Sequence, residues 1–235
     1  MKLSEHGSEA GADTAEENVP AACGPRKRRP GRPLSFDRAA ALERAMLVFW
    51  RLGYEAASVK ELTAAMGITP PSLYAAFGDK ERLFLEALEH YEEQRRRRVE
   101  AAVAEAPTAR EAVARWLEEA ARELVCPSHP KGCMLVTTAP RGSEAAAGVQ
   151  ALLAGKRAAS EASLEARIRR GMAEGELPAA TDAAALAGFY TTVVQGMSIQ
   201  ALDGASAGKL CAVVDAALRA WPPAPGTAAP GTASR

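Results

Sequence analysis

The chain has 235 residues, 48% apolar and only 5% aromatic, with 29 basic against 29 acidic side chains. That length buries one large core or two modest ones, and an alanine-rich, aromatic-poor composition favours helices over strands. No apolar run approaches the ~18 residues of a membrane span, the acidic N-terminus lacks the basic-then-apolar order of a signal peptide, and four scattered cysteines are too few for a disulfide scaffold, so a soluble, cytoplasmic chain with reduced thiols is expected.

The zero net charge conceals a segregation. Residues 1–25 carry one Lys against five acids, residues 26–98 fifteen bases against ten acids, and the remainder thirteen against fourteen. Residues 1–25 show no apolar periodicity and are expected to be a disordered tail. Residues 26–34 form a basic arm. Its Arg29–Pro33 core, RPGRP, looks like a variant of the AT-hook, whose arginines lie in narrow A·T-rich minor grooves; this makes Arg29 and Arg32 candidate DNA contacts. A solubilising charge run is the alternative.

A first helix is expected from a cap at Ser35 or Asp37 to about Leu52, with Leu42, Ala45, Met46 and Phe49 at i, i+3, i+4, i+7 and Gly53 ending it. Trp50 reads as core or interface packing. Ser58–Lys80 then has the layout of a helix-turn-helix. Ser58 and Glu61 fit a capping box, Val59, Leu62 and Met66 share a face, and Gly67 suits a left-handed helix end. Thr69 caps the next helix with Pro70 in its first turn. There Leu73 and Phe77 point inward, leaving Pro70, Pro71, Ser72, Tyr74 and Ala76 outward. A fourth helix, about 81–105, carries Phe84, Ala87, Leu88 and Tyr91 on one stripe and connects the two halves. Its four consecutive arginines, Arg95–Arg98, must surround the helix and read mostly as solvated charge, with a DNA-facing role as the alternative. Beyond Thr108 the composition shifts to alanine-rich amphipathic segments, with helices expected at 109–125, 133–139, 144–173, 182–202 and 206–220 and a disordered tail at 222–235.

The segment Phe36–Tyr91 resembles the DNA-binding module of the TetR family of transcriptional regulators. The residues that carry the resemblance are Phe49-Trp50-Arg51-Leu52-Gly53-Tyr54, the capping Ser58, Leu73-Tyr74-Ala75-Ala76-Phe77, and Lys80. The resemblance implies an all-α protein: a helix-turn-helix domain at 35–80 and a helical ligand-binding and dimerisation domain at 81–221. It implies a homodimeric repressor that binds a palindromic or pseudo-palindromic double-stranded operator, is released by a small effector, needs no cofactor, and works in the cytoplasm at the nucleoid. Matched by position, Ser58, Lys60, Thr69, Pro70, Pro71, Ser72, Tyr74 and Lys80 are the candidate DNA contacts, Lys60, Tyr74 and Lys80 mainly to phosphate. The two prolines have no amide to donate, so DNA shape, thymine methyls and the arm should supply much of the selectivity.

In the second domain Trp116, Leu117, Cys133, Met134, Phe189, Tyr190 and Met197 are candidate effector contacts, although such residues at helical spacing also read as plain core. Few charged residues fall on these faces, which suggests a neutral, apolar or aromatic effector. The closing helix pair implied by the resemblance places Ala184, Gly188, Gly196, Leu210, Val214 and Leu218 at the dimer interface, with an intramolecular bundle as the alternative. Cys126-x2-His129-x3-Cys133 admits three readings: inert thiols, a redox or electrophile sensor centred on Cys133 with Lys131 and a helix start beside it, or an incomplete metal site. Outside regulation, an architectural DNA binder using the arm and the arginine run is the main rival. An enzyme is not expected: with three histidines (His6, His90, His129) and no Gly-rich phosphate loop, HExxH or nucleophile elbow, no cluster apart from the Cys126–Cys133 stretch invites catalysis.

Overall fold

Asp37 opens the first helix of the fold by accepting the backbone N–H of Ala39 (2.9 Å) and Ala40 (3.1 Å), and α1 runs Arg38–Leu52. The structure is a computed structural model that describes residues 36–138 and 147–224. The expected N-terminal tail, Ser35, the arm with Arg29 and Arg32, and residues 225–235 of the expected C-terminal tail lie outside those residues. α2 (Val59–Met66) starts on a complete capping box: Ser58 Oγ accepts from the Glu61 amide, and the Glu61 carboxylate accepts from the Ser58 amide at 2.9 Å. It ends at Gly67 in the left-handed region, φ 70°, where a side chain would be strained. α3 (Pro70–Phe77) follows with Thr69 as cap and prolines in its first turn. Asp79 caps α4 (Lys80–Val103), whose 24 residues make a rod of about 36 Å.

Three short helices hold their angles because α4 and α1 close over them. Phe49 is fully buried, edge-on to Phe84 at 5.1 Å, while Leu62, Met66, Leu73 and Phe77 fill the same core. Arg38 fastens three helices at once: it pairs with Glu86 of α4 (2.5 Å), donates to the Ala76 carbonyl at the end of α3 (3.3 Å), and lies over the Phe77 ring (4.4 Å). Ala76, expected outside, is half-buried against this core, and Ala75 is the exposed neighbour.

The rest is built from α5 (Ala109–Glu123), the single turn α6 (Met134–Thr137), α7 (Ala147–Ala173), α8 (Ala183–Leu202) and α9 (Ala207–Leu218). Thr108, Asp182 and Ser206 cap α5, α8 and α9. A second core gathers Val113 and Leu117 of α5, Ile168 of α7, Tyr190 and Met197 of α8, and Leu210 and Val214 of α9. The first core reaches past the composition shift, for Met134 and Leu135 of α6 and Val149 and Leu153 of α7 belong to it. The described residues contain helices and no strand, so the protein is all-α, and none of these helices is long and apolar enough to cross a membrane.

The arginine run departs from the expectation of solvated charge. Arg96 and Arg97 are exposed and pair along α4 with Glu93 and Glu100, but Arg95 and Arg98 are half-buried between helices. Arg98 pairs with Glu123 of α5 (2.6 Å), and Arg95 donates to Ser160 Oγ of α7 (2.8 Å). All four sit at least 15 residues, or about 22 Å, along α4 from Lys80, away from the helix-turn-helix.

Candidate nucleic-acid interface and effector cleft

The helix-turn-helix presents its candidate contacts on the outside. Ser58, Lys60, Thr69, Pro70 and Pro71 are exposed, Ser72 is half-buried, and Tyr74 is 51% exposed although it lies between the buried Leu73 and Phe77. Pro70, Pro71 and Tyr74 fall within one turn of each other on the outer side of α3. Ser72 is less available than its position suggests, since its hydroxyl lies 2.9 Å from the cap Thr69 Oγ1. Lys80, at the start of α4, donates to the Glu55 carbonyl (3.1 Å) and lies over the Tyr54 ring (4.8 Å). Burial lowers its pKa, with Glu55 and Glu61 pulling the other way. The lysine therefore braces the turn before α2, a role that sequence position alone did not reveal.

Behind this surface lies a junction of aromatic and charged side chains. Trp50, at the end of α1, is 4% exposed; its ring donates from Nε1 to the Gly132 carbonyl (3.1 Å), meets Tyr91 of α4 edge-on (4.8 Å) and stacks on His129 (4.3 Å, 20° between planes). Trp50 is thus core packing, one of the two roles, core or interface, expected of it. His129 Nδ1 lies 2.9 Å from the Pro130 carbonyl and Nε2 lies 3.0 Å from a Glu123 carboxylate oxygen, so both ring nitrogens face acceptors. The Glu123 carboxylate raises the pKa of His129 above 6.5 against the opposing effect of burial. Burial pushes Glu123 up, but His129 and Arg98 outweigh it and hold its pKa below the ordinary 4.5.

The loop that carries His129 does not gather the expected ligand set. His129 faces Glu123, Cys126 contacts Ser128 Oγ (3.1 Å), and Cys133 Sγ accepts from Tyr91 Oη (3.3 Å). Among the described residues no three His, Cys, Asp or Glu side chains converge. The hydrogen bond with Ser128 holds the Cys126 thiol below its ordinary pKa. Burial and Cys133 hold the Tyr91 phenol well above its own.

Cys133 and Trp116 are the two candidate effector contacts that reach a cavity. They line two adjoining hollows of about 50 Å³ each, between α4 and α5 and between α4, α7 and α8. Each has room for a water molecule or two. A groove of about 570 Å³ opens beside them along α4 and α7, sharing Arg95, Trp116 and Ser160 with the second hollow. The other five candidates lie elsewhere. Leu117, Met134, Tyr190 and Met197 are closed into the cores, and Phe189 is 41% exposed with its ring edge-on to Tyr190. The surface of both hollows is almost wholly apolar, although Arg95, Arg98 and Arg157 stand around them together with Glu119 and Glu123. Long side chains on a nominally polar stripe bend over to roof the space, which helical spacing does not register.

The predicted dimer contacts divide in two. Ala184 and Gly196 are exposed, and Gly188 is half-buried near Glu161. Leu210 and Val214 are buried in the second core and Leu218 packs against it, so the inner stripe of α9 is intramolecular. The apolar face left exposed on α8 runs Ala185, Phe189, Thr192, Gly196 and Ile199, at alternating spacings of four and three, with Leu202 (51% exposed) at its end. Cys211 and Ala212 of α9 are exposed as well.

Comparison with known proteins identifies relatives of both halves. Residues 41–87 match the family described as bacterial regulatory proteins, tetR family, and residues 110–209 match the tetracyclin repressor-like C-terminal domain. The HTH-type transcriptional repressor ComR of Escherichia coli (strain K12) is 36% identical over 197 residues, covering 83% of this chain and 94% of ComR. BdcR, an HTH-type transcriptional repressor from the same organism, is 48% identical over 64 residues, 27% of this chain and 32% of BdcR. Among solved structures, a cysteine mutant of the TetR family transcriptional regulator CifR, complexed with 26 bp double-strand operator DNA, is 48% identical and superposes with a TM-score of 0.79 over 82% of this chain and 100% of that one.

Proposed function

The chain belongs to the TetR family of bacterial regulatory proteins, and from that premise we propose that it is a homodimeric transcriptional repressor that grips operator DNA through α2, α3 and the start of α4 and lets go when a small molecule enters the cleft. The observation that carries the proposal is the shared rod α4. Lys80 stands at its first residue beside the helix-turn-helix, and Tyr91 and Arg95 of the same helix line the cleft. A ligand that wedges α4 away from α5 or α7 therefore moves the reading head without any intermediate element. On this proposal residues 35–80 read DNA, residues 81–221 sense and dimerise, and the protein acts at the nucleoid in the cytoplasm.

Dimerisation is a physical requirement of the mechanism. One helix-turn-helix with a few phosphate contacts binds weakly at cellular salt, whereas two linked heads gain a high effective concentration for the second half-site. Half-sites then lie on one face of the duplex about 34 Å or somewhat more apart. The exposed apolar face of α8 supplies a surface for such pairing. The regulator is expected to prefer its operator over random duplex by ~10³-fold or more, where an architectural binder would show little preference. The inward placement of Arg95 and Arg98 weakens that rival. No catalytic role is proposed.

The test is operator titration at several salt concentrations, using an operator selected as bound fragments from the native genome. Tyr74→Ala and Lys80→Ala should each weaken binding across sequences, and Lys80→Ala should lower the log-salt slope by about one per subunit. If both variants bound like wild type, the assigned docking surface would be wrong.

A second reading, regulation by thiol chemistry, is favoured by one contact. Cys133 Sγ lines the cleft and accepts from Tyr91 Oη, and Tyr91 in turn packs on Trp50 of α1. Modification of that sulfur would displace Tyr91 directly. Alkylation of Cys133 by iodoacetamide, compared with a model peptide, tests it; equal rates together with undiminished operator binding by the alkylated protein would exclude it.

A further inference from the structure

We propose that the cleft is an anion site, taking a small organic carboxylate whose acid group sits between Arg95 and Arg157 and whose apolar body lies against Trp116. The proposal deepens the effector reading and rests on it. Both arginines line the same hollow, Arg95 from α4 and Arg157 from α7. Each is anchored by one hydrogen bond: Arg95 donates to Ser160 Oγ (2.8 Å), one turn along α7 from Arg157, and Arg157 donates to the Leu135 carbonyl of α6 (2.6 Å).

The hollow that both arginines line has no acid among its lining residues. The acids of the neighbouring hollow are committed elsewhere: Glu119 to Arg122 (3.2 Å), and Glu123 to Arg98 (2.6 Å) and His129 (3.0 Å). In the groove Glu92 pairs with Lys156 (2.5 Å) and Glu93 and Glu100 pair with Arg96, while Glu89 lines the same groove with no ion pair among the described residues. Glu161 accepts from the Thr191 hydroxyl (2.8 Å). Among the described residues neither Arg95 nor Arg157 has a carboxylate within ion-pair distance, and Arg95 Nε is buried with no hydrogen-bond partner. A buried guanidinium nitrogen without a partner is costly, and a planar carboxylate matches its paired N–H groups. The small volume of the hollows and the breadth of the adjoining groove give such a molecule an entry: the body in the groove beside Trp116, the acid group reaching inward past Ser160.

The experiment is isothermal titration of the full-length chain, free of DNA, with benzoate, octanoate and 2-naphthoate, each against its own primary amide. At least one acid should bind ten-fold or more tightly than its amide. Arg95→Gln and Arg157→Gln should each remove ten-fold or more of that acid's affinity while leaving the amide's unchanged. Circular dichroism checks the fold, and Arg95→Lys, which keeps the charge and loses the paired geometry, should lie between wild type and Arg95→Gln. The proposal is overturned if no acid binds, if acids and amides bind alike, or if the folded variants bind the acid as wild type does. Release of operator is measured separately. Preferred acid binding without release supports the anion site and sinks the effector reading, while release by a neutral compound with no acid preference does the reverse.

Discussion

His129 shows how a single side chain acquires a role from its surroundings. On the sequence it is a candidate ligand between two cysteines; in the fold it is an imidazole held between Trp50, the Pro130 carbonyl and Glu123, with Arg98 on the same carboxylate oxygen. Because its folded pKa is raised, its contribution is fully present below the unfolded value near 6.5 and is lost as pH rises through the folded value. Glu123, with a lowered pKa, contributes fully above its unfolded value near 4.5 and loses that contribution as pH falls through the folded one. The pair is therefore strongest between about 4.5 and 6.5. Thermal unfolding of wild type should lose more stability between pH 6.5 and 8 than that of His129→Gln; identical pH profiles would show that the pair does not hold the junction.

At the level of helices, caps and crossings decide stability. The Ser58–Glu61 box closes α2 in the exposed half of the reading head, so Ser58→Ala should cost about 1 kcal/mol and lower Tm by roughly 2–4 °C. The α5–α7 crossing is tighter. A Cβ added at Gly171 would come within 2.5 Å of Ala109 Cβ, at a point where the Ala109 amide donates to Glu176 Oε2. Gly171→Ala should therefore cost about 1–3 kcal/mol by overpacking, measured by urea unfolding, although an ordinary glycine-to-alanine change inside a helix stabilises. An unchanged or raised midpoint would mean that the crossing relaxes. Both helix ends and buried stripes follow local rules, which is why the capping box, the Gly67 stop and the inward Leu73 and Phe77 were readable from residue order. The Gly171 contact was not readable, because its partner is 62 positions away in the chain.

For the whole molecule, the open question of assembly rests on one face. Phe189→Glu places a charge in the middle of the exposed α8 stripe, at a ring 41% exposed that meets Tyr190 edge-on. It should halve the mass measured by light scattering and weaken operator binding at least ten-fold, with little change in helix content; a variant that stayed dimeric would move the interface elsewhere. The sequence by itself determined the all-helical class, most helix ends, the helix-turn-helix and its family, since capping, periodicity and glycine stops act over a few residues. Only the tertiary structure decided which apolar stripe is core and which is surface. Leu210 and Val214 look as fit for a partner subunit as for a neighbour in the same chain, and Phe189 looks as fit for a pocket as for an exterior. The same structure turned Arg95 and Arg98 inward and gave Lys80 a carbonyl to hold. Hydrophobic periodicity names a buried face without naming what buries it, and a long charged side chain takes its direction from neighbours that the local sequence does not contain.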